Sequence, residues 1–277
     1  MSTASVKPQA VAIYGILVIA ALVVAVPLVW IAEAAFRTQI SLLTGQVLFQ
    51  PTLAAFQQVL FSSTSDFLMN YRSSFIVGLL STALCVLAGT LAAWSLERLD
   101  WPGWVRHLFL GWALVFQMIP PVALASAWFT MERAVHLDNT FAGLILAHAT
   151  LNLPMAVWLM SVFTRDVPQE LVEAARIDGA DGATLFWRIV VPIIAPGLAA
   201  TTVLCFVFSW NEFAVALNLT GRETATVPVA ISKFAQDFQI QYTQMAAAAS
   251  LSILPALVLL LIGQRYIVRG LTTGALK

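Results

Sequence analysis

Asp166–Pro192 reads DVPQELVEAARIDGADGATLFWRIVVP, a polar break between long apolar runs that carries Asp166, Glu170, Glu173, Arg176, Asp178, Asp181 and Arg188. Its local signals predict two short helices joined by a tight turn. Asp166 is placed to cap the first, with Gln169 three residues on as the reciprocal half of a capping box and Pro168 in the first turn. Leu171, Ala174, Ala175 and Asp178 follow at i, i+3, i+4 and i+7, a narrow face of small residues. Gly179 ends the helix, where a left-handed residue without a Cβ costs least. Asp181 is placed to cap the second helix, which carries Leu185 and Ile189 and stops at Pro192. Alanine buries little apolar area, so such a face suits close approach to another protein surface better than membrane anchoring. An internal packing helix remains the alternative on periodicity alone.

The composition around this break is that of an integral membrane protein. Of 277 residues 60% are hydrophobic and 10% charged, against about 25% charged in a soluble domain, and mean hydropathy is +0.87. The formal net charge is zero, which gives no footing for nucleic acid. Cys85 and Cys205 both sit inside apolar runs, which argues against a disulfide.

The apolar runs predict an all-α fold of six spans, at about 11–32, 73–96, 107–129, 140–163, 196–219 and 242–264, in a single transmembrane domain covering 1–277. The first is an unbroken run from Val11 to Ala32, about 33 Å as a helix and long enough to cross. Ala32-Glu33-Ala34 offers a cleavage-like pattern, but the run exceeds the 7–15 residues of a leader's apolar region. It therefore reads as a retained span. The polar stretch after it leaves room for a short helix near Ala54–Leu60. Ser81, Cys85, Gly89 and Ala93 recur every four residues on the second span, a face on which another helix backbone can approach closely. Pro120-Pro121 interrupts the third span and must kink or unwind it, and Pro154 and Pro255 lie inside the fourth and sixth.

Six spans place both termini on one side. With the termini and the 166–192 loop inside, Lys7, Arg98, Arg106, Arg165, Arg176, Arg188, Arg265, Arg269 and Lys277 are cytoplasmic. Arg37, Arg72, Arg133, Arg222 and Lys233 are external. The bias runs in the direction of the positive-inside rule.

Glu173-Ala174-Ala175, three residues, Gly179, nine residues, Ile189, one residue, then Val191-Pro192 resembles the EAA loop of ABC-importer permeases, E-A-A-x3-G-x9-I-x-L-P. Val191 stands where leucine is usual. The flanks Ile177–Ala180 and Pro196-Gly197-Leu198, the run Phe208-Ser209-Trp210-Asn211-Glu212-Phe213 and the ending Gly270–Lys277 resemble the carbohydrate branch of that family, the maltose and trehalose type. Ser73-Ser74 departs from the Asn-Ser often found at the start of the second span. The likeness runs from about residue 72 to the end. It implies the second permease subunit of a sugar or polyol importer in a bacterial inner membrane. Such a subunit is paired with a homologous permease, two ATPase subunits that bind the ATP, and an extracytoplasmic solute-binding protein. It further implies that Glu173, Ala174, Ala175, Asp178, Gly179, Ile189 and Pro192 form the cytoplasmic coupling surface.

No G-x-x-x-x-G-K-[ST] loop and no G-x-S-x-G occur, and His107, His136 and His148 lack ligand spacing. Neither enzyme, cofactor nor metal is expected, and the energy must come from another chain. The polar residues inside spans are the pathway candidates. Asn211 and Glu212 lie two-thirds along the fifth span, where a carboxylate needs protein or water around it. Glu212 reads equally as a pathway residue and as a glutamate near the outer boundary that snorkels or caps another helix. His148 and Asn152 make a stripe that either lines a cavity or satisfies carbonyls near Pro154, and Gln117 lies one turn before Pro120. Trp112, Trp128, Trp158 and Trp210 offer aromatic faces for a sugar, or anchors for packing. The runner-up class is an ion-driven secondary transporter, which would need paired intramembrane charges and inverted repeats. A membrane-embedded enzyme ranks third.

Overall fold

The computed structural model describes residues 8–235 and 240–275, with side-chain surroundings for 12–235 and 240–264. Lys7, Lys277 and the side chains of Arg265, Arg269 and the Gly270–Lys277 ending lie outside the described residues. Every regular element among the described residues is helical. The helices are α1 Pro8–Ala35, α2 Gln39–Leu43, α3 Ala54–Phe61, α4 Phe67–Arg98, α5 Gly103–Gln117, α6 Pro121–Ala134 and α7 Phe141–Arg165. There follow α8 Gln169–Ile177, α9 Gly182–Ile193, α10 Ala195–Trp210, α11 Ala214–Leu219, α12 Val227–Lys233 and α13 Tyr242–Ala275. Four of these, α1, α4, α7 and α13, are long and apolar enough to cross a membrane, and the number rises to six if each of two bent pairs counts as one span.

The bent pairs follow from backbone chemistry. Pro121 is the first residue of α6 and Pro120 its N-cap, so two N–H groups that a continuous helix would need are missing. The chain turns through 101° there instead of kinking. α9 and α10 meet at 77°. The fifth apolar run is divided again at Asn211–Phe213, where α10 ends and α11 begins, so Asn211 and Glu212 do not lie inside a continuous span. No Pro or Gly marks that break; the side chains of Asn211 and Glu212 supply it.

Contacts divide the chain into two compact units, residues 1–67 with 231–253, and 68–230 with 254–277. In the first, Gln39 donates to the Ile240 carbonyl (2.7 Å) and Gln244 donates to the Gln58 side-chain oxygen (2.6 Å). The Phe36 and Phe56 rings meet tilted at 5.1 Å, and Arg37 pairs with Glu33.

In the second unit α4 packs through its small-residue face. Ser81, Cys85 and Ala93 are fully buried. A Cβ on Gly89 would stand 2.8 Å from Ala156 Cβ and 3.2 Å from the Ala156 and Val157 backbone, so only glycine lets α4 approach α7 this closely. Where α4 meets α10, the Cys85 and Cys205 thiols are free and buried with their sulfurs 3.8 Å apart, beyond the ~2.05 Å of a disulfide. Phe206 and Trp210 of α10 stack at 5.6 Å, and Phe75 and Tyr71 of α4 meet Trp210 at 5.0 and 5.5 Å.

Candidate functional site

The polar break forms α8, a turn and α9. α8 begins differently from the capping-box expectation. Asp166 is the C-cap of α7, and Pro168, which has no side-chain cap to offer, stands at the N-cap of α8. The chain goes from one helix to the next within three residues, which leaves Asp166 on the wrong side of the join. Gln169 instead donates to Glu173 (3.3 Å).

The end of α8 is a Schellman motif. Ala180 N–H donates to the Ala175 carbonyl (3.0 Å) and Gly179 N–H to the Arg176 carbonyl (3.1 Å), around Gly179 at φ +87°. α9 then opens on Asp181, whose carboxylate accepts from Thr184 N–H (2.8 Å). The hydrogen bonds from Thr184 hold the Asp181 carboxyl below its usual value.

The helix continues through a π-helical turn at Leu185–Val190, closed by Val191 N–H on the Phe186 carbonyl. That extra residue shifts the inward face. Leu185, Phe186 and Val190 are buried, and Ile189, the expected i+4 partner of Leu185, is only half-buried. Pro192 does not stop the helix, which runs one residue further to Ile193. Proline is tolerated there because it lies in the first turn of the short α-helical segment that follows the π turn.

α8 divides its residues between two sides. Val172 and Ala175 are buried in one cluster with Ala93, Met160, Val167, Leu185, Phe186, Val190 and Ile194. Ala175 therefore belongs to the chain's own core. Leu171 is 48% exposed and Ile177 85% exposed, and Glu173, Ala174, Asp178 and Gly179 are exposed with them. This leaves a surface on which Leu171, Ala174 and Ile177 are interleaved with Glu170, Glu173, Arg176 and Asp178.

The second set of candidates meets at the α10–α11 break. Both Glu212 carboxylate oxygens are taken up by backbone, accepting from Val215 N–H (2.8 Å) and Ala216 N–H (2.9 Å), so Glu212 caps α11. Asn211 caps α10 and donates to the Val207 carbonyl (2.8 Å) with its side chain otherwise exposed. His148 is wholly buried. Its Nδ1 is 2.8 Å from Ser209 Oγ, which is 2.9 Å from Ser81 Oγ, and its Nε2 is 3.5 Å from Glu212. Ser81 and Ser209 were not singled out from sequence as partners of His148, and spacing alone carries no sign of a three-helix link.

Asn152 is buried and donates to the His148 carbonyl (3.0 Å), within its own helix. Gln117 is exposed at the end of α5 beside Pro154 and Trp158, around a cavity of about 90 Å³. The structure thus brings Glu212 and His148 together, with Asn211 next to Glu212 in the chain and Asn152 on the His148 carbonyl, and leaves Gln117 apart from them. Of the four tryptophans, Trp210 is consumed by the α4–α10 aromatic cluster and Trp128 packs on the core, while Trp112 and Trp158 stay nearly half exposed. Among the described residues no group of three or more His, Cys, Asp and Glu side chains could hold a metal ion.

Residues 85–273 match the family model described as binding-protein-dependent transport system inner membrane component. The chain is 37% identical to the trehalose transport system permease protein SugB of Mycobacterium tuberculosis over 259 residues, covering 91% of this chain and 92% of that one. It is 34% identical to the sulfoquinovosyl glycerol transport system permease protein SmoH of Agrobacterium fabrum, covering 91% and 88%. Its fold is similar to a crystal structure of a bacterial ABC transporter involved in the import of the acidic polysaccharide alginate. There the TM-score is 0.76 at 20% identity, over 96% of this chain and 99% of that one.

Proposed function

From the premise that this chain belongs to the family of binding-protein-dependent transport system inner membrane components, we propose that α8 and the Gly179 turn receive the motion of an ATPase subunit and drive uptake of a sugar or polyol. Family membership makes the chain a non-catalytic permease of an ABC importer and decides against the ion-driven alternative. The relatives named for trehalose and sulfoquinovosyl glycerol support a carbohydrate-like solute. Full assembly takes a homologous permease, to which this chain is the second subunit, two ATPase subunits and an extracytoplasmic solute-binding protein. Both termini and residues 166–192 are cytoplasmic in this reading, as the distribution of basic residues suggests.

One observation carries the coupling role: the outward side of α8 keeps Leu171, Ala174 and Ile177 uncovered around Glu173, while its inward side is anchored in the core. A helix fixed on one face, with uncovered apolar residues among charges on the other, is built to bear on a partner. At the α10–α11 break, Asn211 is the side chain free to meet a passing hydroxyl group. Glu212 and His148 hold the frame in which Asn211 sits, and Gln117 and Asn152 contribute amides further along.

The test is a cysteine at Ile177. In intact cells an impermeant maleimide should leave it unlabelled, and in inverted vesicles a thiol-reactive cross-linker should join it to the ATPase subunit. Labelling from outside intact cells would overturn the reading.

A further inference from the structure

Arg98, the last residue of α4, reaches across to the join between α7 and α8. Its Nη2 donates to the carbonyls of Thr164 (3.0 Å), Arg165 (3.4 Å) and Val167, and its Nη1 donates to Gln169 Oε1 (2.8 Å). Gln169 is the first residue of α8 and passes the contact on to Glu173. The guanidinium carbon also sits 6.0 Å from the Trp94 ring one turn back on α4.

Two features make this more than a surface contact. The last carbonyls of a helix have no partners inside it and lie at the negative end of its dipole, so a cation there is doubly favoured. A guanidinium is a rigid planar fork, so several acceptors held at once fix direction as well as distance. Below the fork, Ala93 of α4 lies in the same apolar cluster as Val167, Val172 and Ala175. Apolar contact of this kind is non-directional and lets surfaces slide. The hydrogen bonds of Arg98 are what set the register.

We infer that Arg98 is a positioning residue that ties the coupling helix to α4, so that displacement of α8 is delivered to the span it would otherwise slide past. This rests on the reading of α8 as the ATPase-facing helix. Along the chain α8 is joined only to α7 and α9, through the short links at 166–168 and 178–181. Arg98 adds a third attachment, to the span whose Gly89 and Cys85 faces meet α7 and α10.

The experiment uses the complete complex with its binding protein in liposomes, measuring uptake and ATP hydrolysis per assembled complex. Arg98→Gln should lower solute imported per ATP hydrolysed by at least about fivefold, the lower end of ordinary coupling factors. Arg98→Lys should recover part of it, since a point charge reaches the carbonyls without the fork. A purely structural arginine would reduce the amount of complex and leave the ratio untouched. A wild-type ratio in assembled Arg98→Gln therefore overturns the inference. If that variant does not assemble, Gln169→Glu decides beside Gln169→Leu, because the glutamate keeps an acceptor for Arg98 and both remove the donor to Glu173, so the difference between them reads the tie. A ratio lower in Gln169→Leu than in Gln169→Glu supports the tie, and equal ratios sink it. The Ile177→Cys adduct with the ATPase should persist in Arg98→Gln. Its absence from the otherwise wild-type complex would bring down the docking reading of α8, and the Arg98 inference with it.

Discussion

Replacing Gly179 with valine isolates the backbone from every other effect in the α8–α9 turn. Gly179 sits at φ +87°, and a Cβ built there meets nothing within 4 Å. The substitution therefore adds no clash and removes no side-chain contact. What it adds is the cost of holding an L-residue in left-handed backbone, about 1–2 kcal/mol and worst for a β-branched side chain. Opposing that are the two hydrogen bonds of the turn, from Ala180 and Gly179 to the carbonyls of Ala175 and Arg176, worth roughly 0.5–1.5 kcal/mol each. The two sums are of similar size, so a large share of molecules should leave the native turn, and α8 and α9 then meet at another angle. Membrane insertion should stay normal, because both helices remain anchored through Val172, Ala175, Leu185 and Val190. Balanced terms leave about half of the molecules in the native turn, so uptake per assembled complex should fall about twofold. Gly179→Asn should lose less, as asparagine visits this conformation more readily. The assay is radiolabelled solute uptake by proteoliposomes, normalised to complex recovered on a tag. Wild-type uptake by Gly179→Val would refute the argument that the left-handed turn sets the coupling angle.

Other expectations concern separate parts of the chain. Glu173→Arg reverses the charge between Leu171, Ala174 and Ile177 on the exposed side of α8. It should release ATPase subunits during purification or abolish solute-stimulated hydrolysis, and an intact, coupled complex would count against a basic partner site. Glu212→Ala leaves the N–H groups of Val215 and Ala216 uncapped at about 1–3 kcal/mol each when buried. It should lower the yield of assembled complex with uptake per complex little changed, as read by quantitative blotting beside transport. Asn211→Ala removes only an exposed amide and should do the reverse, with normal yield and reduced uptake; equal yields and equal uptake would take Asn211 out of the pathway. Gly89→Leu forces a side chain into the Ala156 backbone, and overpacking of this sort costs about 1–3 kcal/mol. A drop in the thermal unfolding midpoint of the purified chain should report it.

The features that could be read from sequence are those set by local backbone chemistry. Glycine at the end of a polar helix led to the left-handed turn at Gly179, and the four-residue repeat from Ser81 to Ala93 led to the close face of α4. Double proline led to a break at 120–121, though not to its 101° angle. The misreadings have physical reasons too. Asp166 looked like a helix start, but helices can follow one another so tightly that a cap position belongs to the earlier one. The π turn moved burial from Ile189 to Val190, and no residue type announces a π turn. The division between α10 and α11 is made by side chains folding back on backbone, which a hydropathy pattern registers only as a polar pair. The link from His148 through Ser209 to Ser81 joins residues from three helices. It became visible only once those helices were placed.

The sulfur pair at the α4–α10 crossing supplies the chain with its own distance gauge. Cys85 and Cys205 stand 3.8 Å apart, and closing the remaining gap to a bond needs only a small relative movement of two spans. Both thiols are buried, so mild copper-catalysed oxidation of the unmodified protein should trap a bond at a rate set by how often movement at the α4–α10 crossing both admits the oxidant and brings the sulfurs together. Comparing that rate with and without nucleotide would follow one step of the transport cycle with no engineered label. A rate that does not change with nucleotide would mean that the two helices keep their crossing closed throughout and move as one body.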